Sequence, residues 1–328
     1  MTYSVSPQID QTATTSGPTF IIGCTGCGKA GLGGELALRA GGEIVSADSM
    51  KVYRRMDIGT AKPSQEIRGR IPHHVIDVVE PSEEFSVAQY VKLAEEAIAD
   101  IRARDKPVFV VGGTPLYIKA LSEGLFEGPG ADPAIRARLQ KIAVEQGLAE
   151  LYCRLRSIDP TAAERIHPND LRRIVRALEV HELTGRPISD LQTQWDRQKP
   201  RYQCWYIGLR RQREDQNRRT NERVKRMIEA GLVEEVKALL AEPLPLSTAA
   251  RQALGYAEII QHLEGRASLA EAVEMIKINT RRFAKAQRTW FRRFLATEWI
   301  DLEPEATAAE VADVLLSRPD APWSPSPK

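Results

Sequence analysis

Long apolar runs, a large net charge and a disulfide-forming set of cysteines are all missing from this chain of 328 residues. No apolar run approaches the roughly 20 residues of a membrane span, so we predict no membrane segment. Four cysteines, at 24, 27, 153 and 204, do not form the framework of a secreted domain. The polar N-terminus lacks an apolar signal core, which predicts a flexible extension over residues 1–18 of a cytoplasmic protein.

Strong overall charge is absent, but the charge is unevenly distributed. The net charge is +2, yet residues 210–226 carry eight Lys/Arg against three Asp/Glu. Residues 277–293 carry seven basic residues and no acid, and residues 298–313 carry six acids and no base. Two basic blocks in a near-neutral chain indicate either a confined surface for a polyanion or solvated helix faces.

One stretch, Thr19–Ala30, has the pattern of a phosphate-binding loop. A short apolar strand leads into Gly23-x4-Gly28-Lys29, and a helix pattern follows. Glycines let backbone N–H groups turn toward an anion, the helix N-terminus is positive, and the lysine adds a charge. The hydroxyl residue that usually follows the lysine and binds Mg²⁺ is missing, because Ala30 stands there. The loop therefore predicts diphosphate or nucleotide binding and leaves the reaction open.

The same loop contains a C-x-x-C pair, Cys24 and Cys27. At a strand-to-helix turn this spacing also fits a thioredoxin-like redox site. The glycines and Lys29 fit phosphate chemistry better, and a zinc site would need a second ligand pair that the spacing does not provide.

Strand and helix patterns alternate over the first third of the chain. Apolar strand patterns occupy Glu43–Asp48 and Lys106–Thr114, and Phe85–Arg104 has the period of an amphipathic helix. We predict an α/β fold with a P-loop-type parallel sheet core flanked by helices. Parallel sheets bind ligands at the C-terminal ends of their strands, so Asp48 and Thr114 should stand beside the phosphate loop and could hydrogen-bond one another.

The middle of the chain has helix patterns and no clear strand. This predicts an inserted all-helical domain over residues 126–203, which makes the core discontinuous, with parts at 19–125 and 204–302. Residues 303–328 should form a short helix and then, from residue 318 on, a disordered tail rich in Pro and Ser.

Basic residues line two of the predicted helices. Arginines at 172, 173 and 176 share one inserted helix, where they could pair with local acids or grip phosphates. In the second basic block one helix face carries four cations without any acid, which favours contact with a nucleic-acid backbone. These four are Arg281, Lys285, Arg288 and Arg292.

Nine segments, in order over residues 19–300, together resemble the tRNA dimethylallyltransferases (tRNA isopentenyltransferases). The resemblance implies transfer of a dimethylallyl group from dimethylallyl diphosphate to the N6 amino group of the adenosine next to the anticodon, with release of pyrophosphate. The segments are Gly23–Lys29, Ser46–Tyr53, Met56–Pro63, Pro72–Asp77, Gly112–Tyr117, Ile166–Asp170, Arg173–Glu179, Arg251–Tyr256 and Ala284–Phe291.

The resemblance also implies roles for individual residues. Asp48 matches the family's general base and Thr114 the threonine that orients the substrates, while Lys29, Arg219 and Arg223 match cations near the diphosphate. Mg²⁺ would assist the leaving group, and the enzyme would act as a monomer. The implied diphosphate-binding residues are Gly23, Cys24, Thr25, Gly26, Cys27, Gly28, Lys29 and Ala30. The implied tRNA-binding residues are Asp48, Ser49, Met50, Lys51, Thr114, Arg136, Arg172, Arg173, Arg176, Arg251, Gly255, Arg281, Lys285 and Arg288.

The chain departs from the family pattern at a few positions. Ala30 lacks the hydroxyl, Cys24 and Cys27 replace the usual Pro and Ser, and Ala286 replaces an arginine. The cysteine pair suggests that oxidation would distort the loop and reduce activity. Three other functions stay open: an adenylate prenyltransferase acting on free AMP or ATP, an ATP-dependent kinase, and an RNA-binding module without catalysis.

Overall fold

The computed structural model describes residues 17–125, 128–192 and 201–323. Most of the predicted N-terminal extension and the last five residues of the predicted tail lie outside these ranges. The described residues divide into two compact units. The larger unit comprises the residues up to Ser122 and from Tyr202 on, and the smaller unit is Glu123–Arg201. These limits lie close to the predicted limits of the helical insertion, 126 and 203.

A six-stranded parallel sheet in the larger unit confirms the predicted α/β class. The strands are β1 (Thr19–Gly23), β2 (Glu43–Ala47), β3 (His73–His74), β4 (Val108–Gly112), β5 (Trp205–Arg211) and β6 (Thr297–Leu302). Their order across the sheet is β3-β2-β4-β1-β5-β6. Every residue of β1, β2 and β4 is buried, which is why these segments read as near-continuous apolar runs.

The edge strand β6 was not predicted from the sequence. It pairs with β5, where Trp299 lies beside Gly208. A Cβ at Gly208 would lie 2.4 Å from the Trp299 ring, so only glycine lets the indole lie against the strand. Most of β6 is half-buried and contains two acids, so it lacks the apolar run that marked the central strands.

Fifteen helices lie within the described ranges, and none is long and apolar enough to cross a bilayer. In chain order they are α1 (Lys29–Ala40), α2 (Gln65–Arg70), α3 (Val87–Ala103), α4 (Pro115–Glu123), α5 (Pro133–Glu145), α6 (Leu148–Ile158), α7 (Pro160–Arg165), α8 (Leu171–Thr184), α9 (Ile188–Leu191), α10 (Arg213–Glu229), α11 (Leu232–Leu240), α12 (Thr248–Arg251), α13 (Tyr256–Leu263), α14 (Leu269–Phe291) and α15 (Ala308–Leu316). The glycines of α1 permit close packing, since a Cβ at Gly33 would lie 2.6 Å from Val111 of β4.

The segment 318–323 packs against the core, which corrects the prediction of a disordered tail from residue 318 on. The Trp323 ring stacks on Trp205 with 5.1 Å between ring centroids, and it lies 5.4 Å from the Phe109 ring. Composition predicted disorder because Pro and Ser dominate the tail. One tryptophan nevertheless supplies enough apolar area to hold the segment.

The smaller unit, α5 to α9, is built around a buried carboxylate as well as an apolar core. Glu179 is fully buried and accepts hydrogen bonds from Arg136 Nε at 2.8 Å, Arg176 Nη1 at 2.7 Å and the Asp132 N–H at 2.7 Å. Burial opposes ionisation, but these bonds outweigh it and lower the pKa of Glu179. The fully buried apolar side chains are Leu151, Leu155, Ile174 and Val180.

We predict that Glu179→Gln destabilises the smaller unit by about 3 kcal/mol at neutral pH, because two arginines lose their anionic partner. The lowered pKa means that this stabilisation is complete above the unfolded-state pKa of a glutamate and is lost as pH falls through the folded-state value. Hydrogen–deuterium exchange of the α8 amides would measure both effects. Glu182→Gln on the same helix is the control, since Glu182 is only partly buried. Equal protection in Glu179→Gln and the unaltered protein at neutral pH would contradict the prediction.

Candidate functional site

Three neighbouring strands end at one edge of the sheet, and the polar residues that follow them meet there. The Thr114 N–H donates to the Ala47 carbonyl at 3.1 Å, which continues the ladder between β4 and β2. Thr114 Oγ1 accepts from the Ser49 N–H at 3.0 Å, and Asp48 Oδ1 accepts from the Met50 N–H at 2.9 Å. Thr114 is therefore fixed beside Asp48 through Ser49, not by the direct bond that the sequence suggested.

The phosphate-loop pattern forms a tight turn between β1 and α1. Gly23, Gly26 and Gly28 have φ of 149°, 81° and 104°, in the region that favours glycine. A Cβ at Gly23 would lie 2.7 Å from Cys27 Sγ, whereas nothing lies within 4 Å of a Cβ at Gly28. Lys29 Nζ donates to the Cys24 carbonyl at 3.2 Å. The loop thus leaves open space at the start of α1, where backbone N–H groups can bind an anion.

Gln287 of α14 ties the loop to the end of β4, and sequence reasoning missed it. Its side chain is almost fully buried. Oε1 accepts from the Thr25 N–H at 2.8 Å, and Nε2 donates to the Gly113 carbonyl at 2.5 Å. The sequence did contain a signal for this role. Gln287 is an uncharged polar residue within a strongly basic helix pattern, and it belongs to one of the nine segments that resemble the family.

These residues line a cavity of about 320 Å³ in the larger unit, a size suited to one small ligand. Polar groups from the strand ends and the loop meet apolar side chains of α10, α14 and residues 249–255 there. The predicted site residues in its lining are Thr25, Asp48, Ser49, Met50, Thr114, Arg223 and Gly255. Lining residues that were not predicted include Gly113, Thr220, Val224, Met227, Gln252, Leu254, Ile276, Thr280, Phe283 and Gln287.

Arg223 lines the cavity, and Lys51, which is not in the lining, interacts electrostatically with Asp48, Arg223 and Lys29. Burial lowers the pKa of the Arg223 guanidinium, which donates to the Thr60 carbonyl at 3.4 Å. Burial likewise lowers the pKa of Lys51 to about 8; Asp48 opposes this shift, and Arg223 and Lys29 add to it. Lys51 is destabilised by neighbouring cations, and the Asp48 carboxylate opposes this. The surplus of positive charge favours binding of an anion.

Several predicted cations lie elsewhere and contact other partners. Arg219 Nε donates to Asp215 at 3.0 Å, on its own helix, and its Nη2 donates to the Pro304 carbonyl at 2.6 Å. Arg251 pairs with Glu264 at 2.5 Å. In the smaller unit Arg136 and Arg176 bind Glu179, and Arg173 lies 3.3 Å from Asp170. Arg172 and Lys285 are exposed, as is Ala286, the position where the resemblance implies an arginine.

A second cavity, of about 400 Å³, is lined by Cys24, Gln216, Arg288 and Arg292 among others. Gln216 Nε2 donates to the Thr25 carbonyl at 2.9 Å and contacts Cys24 Sγ at 3.0 Å. Arg288 in turn donates to Gln216 Oε1. Arg288 therefore supports the loop through Gln216, and it does not line the 320 Å³ cavity with Asp48. Arg281, another of the four cations predicted on one helix face, donates to Asn221 at 2.9 Å.

The sequence matches the model of a family described as IPP transferase over residues 51–294. A tRNA dimethylallyltransferase from Geobacter metallireducens is 52% identical over 282 residues, 86% of this chain and 91% of that protein. One from Carboxydothermus hydrogenoformans is 48% identical over 288 residues, 88% of this chain and 92% of that protein.

Solved structures resemble the fold over most of its length. A tRNA isopentenylpyrophosphate transferase from Bacillus halodurans is 38% identical with a TM-score of 0.67, covering 92% of this chain and 96% of that one. A eukaryotic dimethylallyltransferase acting on tRNA is 28% identical with a TM-score of 0.76, covering 92% of this chain and 79% of that one. These matches confirm the resemblance found in the sequence.

We predict that Gln287→Leu weakens binding of inorganic pyrophosphate about tenfold, because the Thr25 N–H and the Gly113 carbonyl lose the bonds that fix the loop. Isothermal titration calorimetry measures the affinity. Thr289→Ala is the control on the same helix, since Thr289 is exposed and donates only to a carbonyl of its own helix. Unchanged affinity in a folded Gln287→Leu would contradict the role.

We predict that pyrophosphate affinity falls as pH rises above about 8, the pKa of Lys51, because the ammonium loses its charge there. Lys51→Arg should keep the affinity high above this pH, since arginine does not titrate in the range. Lys51→Met should bind more weakly below this pH and lose this limb of the profile. The measurement is a calorimetric titration series from neutral to alkaline pH. The same alkaline limb in Lys51→Met and the unaltered protein would rule out Lys51 as its cause.

Proposed function

The chain belongs to the IPP transferase family, and we propose that it transfers a dimethylallyl group from dimethylallyl diphosphate to N6 of the adenosine next to the anticodon of a tRNA. Pyrophosphate is the second product. The observation that supports this most directly is the single cavity in which Asp48, Thr114 and Arg223 meet an apolar wall beside the phosphate loop.

Asp48 is the proposed general base. The exocyclic amine of adenine is a weak nucleophile, so removal of its proton as the N–C bond forms assists the attack. N6 bonds to the first carbon of the dimethylallyl group, the bond from that carbon to the diphosphate oxygen breaks, and the proton passes to the carboxylate. Thr114, held by Ser49, orients the base and the diphosphate from the neighbouring strand end.

The leaving diphosphate is bound by the loop N–H groups, Lys29 and Arg223. Negative charge grows on the departing oxygen in the transition state, and buried donors that are already in place stabilise it without reorganisation. Arg219 was matched to this role as well, but its hydrogen bonds to Asp215 and the Pro304 carbonyl suit a residue that holds α10 in place. We therefore assign the direct contact to Arg223.

The apolar wall binds the dimethylallyl group. Val224 and Met227 of α10 and Ile276 of α14 lie in the lining, and Phe283 extends it. A five-carbon branched chain fits such a wall, and apolar side chains keep water from competing with the amine for the allylic carbon. The adenine has to leave its stack to reach this cavity, so we propose base flipping.

Mg²⁺ is proposed to bind together with the diphosphate. Within the described ranges no group of three or more His, Cys, Asp or Glu side chains could hold a metal ion. Ala30 supplies no hydroxyl, which leaves diphosphate oxygens, water and the Thr25 hydroxyl as ligands. These residues do not form a metal site by themselves, and no step proposed above depends on the ion.

We propose that exposed cations make the contacts with the tRNA. Arg172, Arg173 and Lys285 are exposed and suit phosphate contacts by shape and charge. Arg136, Arg176 and Arg251 already have carboxylate partners, so their contribution would be to position helices. With tRNA as the substrate we propose a cytoplasmic enzyme, and the monomeric state remains a prediction.

We predict that Asp48→Asn lowers the transfer rate on the order of 10²- to 10⁴-fold with little change in substrate affinity, because the amide keeps the shape and loses the base. The assay follows labelled dimethylallyl diphosphate into an anticodon stem-loop that carries the target adenosine, with AMP as a competing acceptor. Asp105→Asn, in an exposed turn, is the control. A full transfer rate in Asp48→Asn would exclude the proposed base, and preferential labelling of AMP would favour an adenylate prenyltransferase.

We predict that Ala30→Thr lowers the Mg²⁺ concentration for half-maximal transfer by about tenfold, because the hydroxyl adds a ligand that the chain lacks. Position 30 is exposed at the start of α1, so the larger side chain has room. A magnesium titration of the transfer rate measures the effect, with Ala30→Val as the control of matched shape. The same half-maximal concentration in all three proteins would show that position 30 does not contact the ion.

A further inference from the structure

The two cysteines of the phosphate loop lie within bonding reach of each other. The Cys27 N–H donates to the Cys24 carbonyl at 3.3 Å, which closes a four-residue turn. Such a turn brings its first and last Cα atoms within about 7 Å, and disulfides span about 4.4–6.8 Å. Both residues are unpaired thiols and their side chains hydrogen-bond to each other.

The surroundings of the pair are electropositive. Lys29 and the start of α1 follow directly, and Arg211 Nε donates to the Cys27 carbonyl at 3.2 Å. The hydrogen bond from Cys24 lowers the pKa of Cys27, burial opposes this, and Lys29 adds to the lowering. The same bond and burial raise the pKa of Cys24. These directions favour a thiol on Cys24 and a thiolate on Cys27, and a thiolate is what reacts with oxidants.

Access to the pair is from the second cavity, which the proposed transfer reaction does not use. Cys24 lines this cavity, whereas Cys27 is fully buried behind it. A volume of about 400 Å³ admits a small hydroperoxide, and the nearby Arg288 and Arg292 favour the negative charge that develops on it. The other two cysteines differ: Cys153 lies in the smaller unit, and burial raises the pKa of Cys204 to about 12.

We propose that Cys24 and Cys27 are a reversible oxidation site, in which a small hydroperoxide entering the second cavity joins them in a disulfide that weakens diphosphate binding. Because only Cys24 lines the cavity, its proton first moves to Cys27, and the Cys24 thiolate attacks the peroxide. The O–O bond breaks, leaving a sulfenic acid on Cys24 and an alkoxide that takes the proton. The Cys27 thiolate then attacks the Cys24 sulfur and hydroxide leaves. One thiol and one thiolate are oxidised to the disulfide, the peroxide is reduced to an alcohol and hydroxide, and the hydroxide takes a proton from solvent to become water.

The disulfide would weaken binding because both sulfur atoms now hold the loop in place. Cys27 Sγ packs against Gly23, and Cys24 Sγ accepts from Gln216, which also fixes the Thr25 carbonyl. Joining the sulfur atoms removes both contacts and alters the turn whose N–H groups bind the anion. Reduction by a dithiol restores them, as expected of a regulatory disulfide in a reducing compartment.

The test uses the full chain with Cys153→Ser and Cys204→Ser, so that the loop pair supplies the only thiols. Hydrogen peroxide treatment, thiol blocking and intact-mass measurement report the disulfide as a loss of two hydrogen atoms without added blocking groups. Calorimetry with inorganic pyrophosphate then compares reduced, oxidised and re-reduced protein. We expect at least a tenfold loss of affinity on oxidation and its recovery with dithiothreitol. The Cys24→Ser variant of this background lacks the sulfur that the peroxide attacks, so its pyrophosphate affinity should be the same before and after peroxide treatment.

Failure to form the disulfide, or overoxidation of Cys24 to a sulfinic acid in its place, overturns the proposal. A disulfide that leaves pyrophosphate affinity unchanged also overturns it, as does reduced protein that does not bind pyrophosphate. Because the probe is pyrophosphate alone, these outcomes are separate from failure of the transfer reaction, which the stem-loop assay reports.

Discussion

The parallel hydrogen-bond ladder of β2, β4 and β1 is the constraint on which the rest of the site depends. It places three strand ends side by side, and the Thr114 N–H to Ala47 carbonyl bond extends the ladder by one residue into the site. Asp48, Thr114 and the phosphate loop lie far apart in sequence and adjacent in space for this reason alone. Because the strands are buried throughout, the polar groups become accessible only where the strands end.

The helices of the larger unit convert this sheet edge into an asymmetric cavity. Strand ends and the loop supply hydrogen-bonding groups, whereas α10, α14 and residues 249–255 supply apolar walls, and α10 also supplies Arg223. One ligand can thus have its charged end bound by cations and its hydrocarbon end kept from water. Gln287 connects the two parts, since it lies on a wall helix and bonds both the loop and the end of β4.

Sequence patterns predicted the central strands, the helical insertion and the candidates Asp48 and Thr114, because buried strands and loop glycines leave local signals. They were less informative about which partners the basic side chains contact. Arg136 and Arg176 are alike in sequence to Arg172, yet they enclose Glu179 while Arg172 is exposed. Which arginine contacts a buried carboxylate depends on how the helices pack. The residues next to each arginine in the sequence do not determine this. The same holds for Trp323, which holds down a segment of disorder-prone composition.

The sequence by itself determined the chemistry that this protein can offer: a glycine loop with Lys29, a carboxylate and a threonine after buried strands, and a loop without the usual hydroxyl at Ala30. Only the tertiary structure decided which groups act together. It placed Arg223 in the lining of the 320 Å³ cavity and paired Arg219 with Asp215. It also brought Gln287 into contact with the loop and placed Cys24 in the lining of the second cavity. The physical reason is that residue type and local period are properties of short segments, whereas burial and partner choice arise between segments distant in the chain.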